Sequence, residues 1–253
     1  MKFLKYFLVI LLVLSYGKLF ATAQTPDYLI IGKDTLSIHC NPLEEYFKEK
    51  PLPEGLITTM STGLWRGYIA YFKIIDNKLV VENIYKVDYS YENENSKRTL
   101  TSIYKDVFGN QENFQCNFYS GVLICPLGEI IEYIHMGYSS IYEKYKLLEI
   151  KDGIYQKEVE LTYNEFMELK IAHFKKYKET EEYKQKFNEL MAATKEMDKD
   201  INKIFGEISK EEKKRQKKNK YLYEKEKEIE LIKTTENFLF LFLTNNIKTI
   251  NLN

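Results

Sequence analysis

Three histidines (His39, His135, His173) and three cysteines (Cys40, Cys116, Cys125) are the side chains best suited to nucleophilic or metal chemistry in this 253-residue chain. Their spacing argues against a metal. His39 and Cys40 adjoin, so in a strand they would point to opposite faces. No C-x-x-C or H-E-x-x-H run occurs, and the sequence predicts neither metal nor cofactor. A nucleophilic pairing of Cys40 with His135 or His173 would have to be assembled by the fold, since nothing local joins them. Neither a phosphate-cradling Gly-rich loop nor a G-x-S-x-G elbow is present. His135 and Glu143 supply an acid and a base for a hydrolase, provided they come within reach through at most one water.

A second group suits recognition better than catalysis. Trp65, Arg66 and Tyr68 precede or begin an apolar run, while His135, Tyr138 and Glu143 follow another. If the fold joins the two ends, these six residues line one concave patch. Aromatic and Arg anchors dominate binding hot spots, and Arg66 would grip a carboxylate with a bidentate fork. The plainer alternative is structural: Trp65 beside Gly67 as a core anchor, Arg66 and Glu143 as an ion pair, and Met136 with Gly137 as a turn.

These residues follow an opening that reads as an export signal. Lys2 and Lys5 precede an apolar run over residues 7–14, then Ala21, Thr22 and Ala23 supply small residues for a cut. A spanning helix needs roughly 20 apolar residues, and Lys18 interrupts too early. No Cys stands near the cut to carry a lipid. Cleavage is expected after Ala23, leaving a chain in the periplasm, at the cell surface or secreted, with no stable transmembrane span. Loss of Lys2, Lys5 and Lys18 leaves 34 basic against 37 acidic residues, a formal charge of −3. That balance gives no reason to expect nucleic acid as a partner. An unknown protein or a small ligand fits better.

Turn chemistry predicts three hairpins in residues 24–161. Asp76 and Asn77 divide two β-rich runs, and Asp152 with Gly153 divides another pair. The third places Ser120 and Gly121 as the loop, so that Cys116 faces Cys125. Counted outward, the cysteines fall on a non-hydrogen-bonded pair, with Cα atoms about 4.5 Å apart, at the short end of what a disulfide accepts. A Cys116 to Cys125 bridge is therefore expected; a shifted register would instead leave two buried thiols. Cys40 is the odd one. Pro126, Leu127 and Gly128 suit a turn. Another strand is expected within residues 29–38, and a short helix over residues 103–108.

Beyond residue 161 the character changes. Thr162 and Glu165 form a capping box. Phe187, Leu190, Thr194, Met197, Ile201, Ile204 and Ile208 recur at steps of three and four, as a coiled-coil seam would. The seam returns weakly at Leu222, Ile229 and Ile232. Helices packed on each other or on the β domain fit better than one long coil. Residues 213–220 (KKRQKKNK) hold six basic residues in eight, yet residues 195–230 hold 12 basic and 10 acidic ones, which describes a solvated face. Residues 238–243 (FLFLFL) are too few to span a bilayer and read as a buried helix turn or strand. The expected fold is α+β, an antiparallel meander of six to eight strands followed by a charged helical tail over residues 162–253.

Two stretches carry a likeness. One is Ser61-Thr62-Gly63-Leu64-Trp65-Arg66-Gly67-Tyr68-Ile69-Ala70, running on to Ile74-Ile75-Asp76-Asn77. The other joins Tyr119-Ser120-Gly121 and Pro126-Leu127-Gly128 to His135-Met136-Gly137-Tyr138-Ser139-Ser140-Ile141-Tyr142-Glu143. With the opening Asp27-Tyr28-Leu29-Ile30, they resemble an uncharacterised family of exported bacterial proteins of no assigned function. The resemblance implies export and a common β core, and it brings no activity, cofactor or catalytic residue. The leading functional expectation is an exported non-catalytic interaction protein of the bacterial envelope. The alternatives are a secreted hydrolase using His135 and Glu143, and a structural envelope component assembled through the helical tail.

Overall fold

The computed structural model describes residues 23–92, 95–135, 137–205, 220–244 and 247–250. The expected signal segment, apart from Ala23, and the basic run over residues 213–219 lie outside them, as does Ile208 of the seam. Two compact units divide the chain, one taking in the residues up to Phe166 together with Lys248–Ile250, the other centred on Met167–Ile247.

The first unit is built on one mixed sheet. Its strands are β1 (Asp27–Ile31), β2 (Asp34–Ile38), β3 (Tyr68–Ile75), β4 (Lys78–Glu92), β5 (Asn95–Ser102), β6 (Phe114–Gln115), β7 (Gly121–Glu132), β8 (Ile141–Lys151) and β9 (Ile154–Thr162). Helix α1 (Leu43–Glu49) and the short α2 (Tyr104–Phe108) interrupt them. Strand order is β2-β1-β3-β4-β9-β8-β7, with β5 and β6 also paired to β4. The α+β class holds, but the sheet is no pure antiparallel meander. Strand β1 runs parallel to β3, with Leu29 opposite Phe72. Parallel neighbours need a long crossover, and the segment carrying β2 and α1 provides one.

The turn residues act where local chemistry dictates. Asp76 and Asn77 (φ 48° and 61°) close β3 onto β4, and Asp152 and Gly153 (φ 49° and 74°) close β8 onto β9. Positive φ at both central residues matches the strand twist in a two-residue loop. Residues 29–38 hold parts of two strands, because Gly32 (φ 60°) turns the chain between β1 and β2. Strand β4 carries a bulge: Tyr71 pairs with Asn83 but Phe72 with Val81, so Glu82 is an extra residue. The slip reverses side-chain parity, letting Leu79, Val81 and Ile84 all enter the core with Phe72, Leu123, Leu148 and Ile150.

The expected hairpin of residues 114–125 does not form, and neither does the disulfide. Phe114 and Gln115 pair with Val81 and Val80 of β4. A turn from Cys116 O to Tyr119 N (2.9 Å) then redirects the chain, and Gly153 N donates to Tyr119 O at 2.9 Å. Strand β7 takes β8 as its partner, placing Cys125 opposite Lys146. The reason is competition. The apolar side chains Leu147, Leu148 and Ile150 of β8 offer β7 a long, buried ladder that a short local hairpin cannot match. Cys40, Cys116 and Cys125 are all buried free thiols. Pro126, Leu127 and Gly128 also differ from expectation: they lie inside β7, where the register slips after Leu127 and Gly128 takes φ 76°. Glu143 sits so close behind Gly128 that a Cβ there would strike its carboxylate.

The second unit is helical. It contains most of α3 (Tyr163–Tyr177), with α4 (Glu181–Phe205) and α5 (Lys220–Thr244). Thr162 and Glu165 make the capping box: Thr162 N donates to Glu165 Oε2 at 2.8 Å, and Glu165 N to Thr162 Oγ1 at 3.4 Å. Helix α4 starts at a second cap, Tyr183 N donating to Thr180 Oγ1 at 3.1 Å. Helices α4 and α5 pack together, with Thr235 Oγ1 3.4 Å from Met191 Sδ, while Lys178 Nζ, in the turn between α3 and α4, lies 2.6 Å from Glu236 Oε1 on α5. Within FLFLFL, Leu239 is buried and Phe240 meets Phe174 edge-on at 5.3 Å, whereas Phe238 faces solvent. No helix among the described residues is long and apolar enough to cross a membrane.

Candidate functional site

Arg66 is the centre of the site, and it points inward. Strand alternation explains what receives it. In β1, Asp27 and Leu29 are buried on the same face, so a carboxylate occupies a core position at the strand's first residue. Arg66 Nη2 lies 2.9 Å from Asp27 Oδ1, with both side chains almost wholly shielded. The same oxygen accepts the Ala70 N–H at 2.8 Å. Arg66 Nη2 also donates to Thr25 O at 2.8 Å, and Nη1 approaches the Tyr138 hydroxyl at 3.4 Å. Tyr138 in turn donates towards Asn41 Oδ1 at 2.9 Å and Thr25 O at 3.2 Å. Four separated segments (residues 25–27, 41, 66–70 and 138) are thus joined in one hydrogen-bonded network around the buried Arg66–Asp27 pair.

A second layer surrounds this pair. The Arg66 guanidinium lies 5.5 Å from the Tyr68 ring, and the Tyr68 hydroxyl donates to Glu44 Oε1 at 2.5 Å. His39 stacks on Tyr138 at 4.9 Å and meets Tyr142 edge-on at 5.6 Å. Its backbone N–H donates to Ile124 O at 2.7 Å. The end of β2 is thereby drawn to β7, although the two strands lie at opposite ends of the sheet order.

Burial governs the titration of these groups. It pushes Asp27 up to about 6 against the pull of Arg66 and the Ala70 N–H, which leaves the carboxylate ionised at neutral pH. Burial alone would lower Arg66, but the charge and hydrogen bond of Asp27, together with the neighbouring Tyr138 and Tyr68, outweigh it and hold the guanidinium above its ordinary value. His39 falls to about 4 through burial and is neutral at pH 7. The Cys40 thiol rises to about 12, again chiefly through burial; Cys116 and Cys125 are pushed up for the same reason. Such thiols carry almost no thiolate at neutral pH, which opposes a nucleophilic role.

The six residues of the expected patch separate. Arg66, Tyr68 and Tyr138 come together in the interior, where Arg66 takes Asp27 and not Glu143 as its ion-pair partner. Trp65 turns the other way and is 52% exposed. His135 and Glu143 are engaged separately. The His135 Nδ1 lies 2.9 Å from the Tyr133 hydroxyl, while Glu143 Oε2 accepts the Glu129 N–H at 3.2 Å across the β7 bulge. Asp27, Asn41, His39 and Glu44 are the members that spacing did not point to. Asp27 had a legible signal, since it shares the parity of Leu29 in an otherwise apolar strand. Asn41 and Glu44 had none, because their partners are distant in sequence.

Chemically, the arrangement can fix loops and present Trp65. Among the described residues no group of three His, Cys, Asp or Glu side chains is placed to hold a metal ion. No protein-family model, no curated protein and no solved structure matches the chain.

Proposed function

We propose that the chain is an exported, non-catalytic interaction protein of the bacterial envelope that engages its partner through Trp65. The export half of this reading rests on the basic start, the short apolar run and the small residues Ala21 to Ala23. One observation carries the binding half: an exposed Trp stands immediately before a buried, ion-paired Arg. Arg66 is held by Asp27, Thr25 and Tyr138, so the backbone at Trp65 is anchored while its indole is half in solvent. Met60, in the same loop, is 70% exposed, and a bridge between Ser61 and Leu64 braces that loop. An anchored backbone presenting Trp and Met loses little entropy on binding, and Trp is among the residues enriched at hot spots.

The test is crosslinked affinity capture of the tagged mature protein from its native envelope, comparing the native chain with Trp65→Ala. A dominant partner that crosslinks to the native chain and is lost with Trp65→Ala, at unchanged stability, supports the reading. Capture indifferent to Trp65 refutes its role. Retention of the chain in the cytoplasm refutes the export half independently.

A further inference from the structure

Lys248–Ile250 belongs to the β unit although some 80 residues of helical unit precede it. The way it is held resembles ligand recognition. Lys248 Nζ lies 2.9 Å from Glu45 Oε1 on α1 and donates to Ser120 O at 3.1 Å. Thr249 Oγ1 donates to Glu149 Oε2 at 3.0 Å, and Ile250 N donates to the same oxygen at 2.8 Å. Three consecutive residues are thus read by groups from three separate elements.

Two of the three receiving groups, Ser120 and Glu149, have contacts that do not involve the segment. Ser120 is tied to the β8–β9 turn, with Asp152 N donating to Ser120 Oγ at 2.8 Å and Ser120 Oγ to Asp152 Oδ1 at 3.0 Å. Gly153 N holds the neighbouring Tyr119 carbonyl at 2.9 Å, so the Ser120 carbonyl is fixed before Lys248 arrives. Glu149 rises from near the end of β8, its side chain only 16% exposed, with Lys157 Nζ 3.8 Å away across the ladder. A half-buried carboxylate gains more from N–H and O–H donors than an exposed one. Preorganised acceptors lower the cost of ordering a ligand.

We propose that Glu45, the Ser120 carbonyl and Glu149 form a peptide-recognition site for a lysine followed by a hydroxyl residue and an aliphatic residue, filled in cis by Lys248, Thr249 and Ile250. The charge complementarity is explicit. Two carboxylates and a carbonyl receive one ammonium, one hydroxyl and one backbone N–H, and Glu149 takes the last two on a single oxygen. The site shares no residue with the Trp65 surface and does not depend on the function proposed for it.

The probe is a fluorescein-labelled peptide with the sequence of residues 247–253 (IKTINLN), titrated by anisotropy against full-length protein. The native chain should bind it weakly, because a tethered segment competes at an effective concentration on the order of millimolar. The full-length variant Lys248→Glu/Thr249→Ala empties the site and should bind about tenfold more tightly. Adding Glu149→Gln to that variant should weaken binding again by about tenfold, through loss of the charge-assisted acceptor. Cooperative urea unfolding of each variant establishes that it is folded. Equal binding by the native and opened chains overturns the proposal, as does failure of the folded, opened chain to bind. Binding indifferent to Glu149→Gln overturns it equally.

Discussion

Replacing Arg66 with Met removes a guanidinium that is 1% exposed in its side chain and leaves Asp27, fully shielded, without its counter-charge. Two short bonds disappear, to Asp27 Oδ1 at 2.9 Å and Thr25 O at 2.8 Å, with the longer contact to Tyr138. Breaking one side of a buried pair costs about 3–5 kcal/mol, mostly because the remaining charge is stranded. For a chain of this size that corresponds to a loss of roughly 6–20 °C in Tm. The variant should also change its pH response. Without Arg66 the Asp27 pKa rises beyond about 6, further above the unfolded value. A carboxyl raised in the folded state contributes stability below its unfolded pKa and loses it as pH rises through the folded one. The deficit of Arg66→Met should therefore be smaller at pH 5 than at pH 8. Asp27 Oδ2 and Arg66 Nε have no hydrogen-bond partner among the described residues, so the pair is incompletely satisfied. The double variant Asp27→Leu/Arg66→Met should then cost less than the sum of the single changes, a coupling readable in a double-mutant cycle. Urea unfolding followed by Trp65 fluorescence measures all of this. A single-variant cost below about 1 kcal/mol, or a deficit independent of pH, would refute the account.

Three further outcomes follow from the same geometry. Thiol counting should find no reactive cysteine in the native protein and three after denaturation, and non-reducing peptide mapping should recover Cys116 and Cys125 unlinked. Gly153→Ala should destabilise by about 2–4 kcal/mol, since φ is 74° and the new Cβ would lie 2.7 Å from Cys116 O; a cost under 1 kcal/mol in urea unfolding would contradict that packing. His39, at about 4 in the fold against 6.5 unfolded, binds fewer protons when folded, so its contribution to stability is lost as pH falls from about 6.5 to 4. Asp27 slopes the opposite way over much of that range. The quantity to measure is therefore the difference between native protein and His39→Phe, which should shift by about 3 kcal/mol in favour of the variant on going from pH 7 to pH 4.

What the sequence determined by itself is what short-range chemistry decides. Asp76 with Asn77, and Asp152 with Gly153, accept positive φ and so close hairpins whatever surrounds them. Thr162 and Glu165 cap a helix because their partners are three residues away. Even the expected Cys116 to Cys125 hairpin followed from sound local rules, and it failed only because β8 offered β7 a longer buried ladder. The parallel pairing of β1 with β3, the bulge at Glu82 that brings Ile84 into the core, and the ion pair of Asp27 with Arg66 belong to the tertiary structure. So does the capture of Lys248 by Glu45 across more than 200 residues. These contacts join positions whose separation carries no periodic signal; which of them form is settled by the competition of whole strands for burial, and that competition turned Trp65 outward and Arg66 inward.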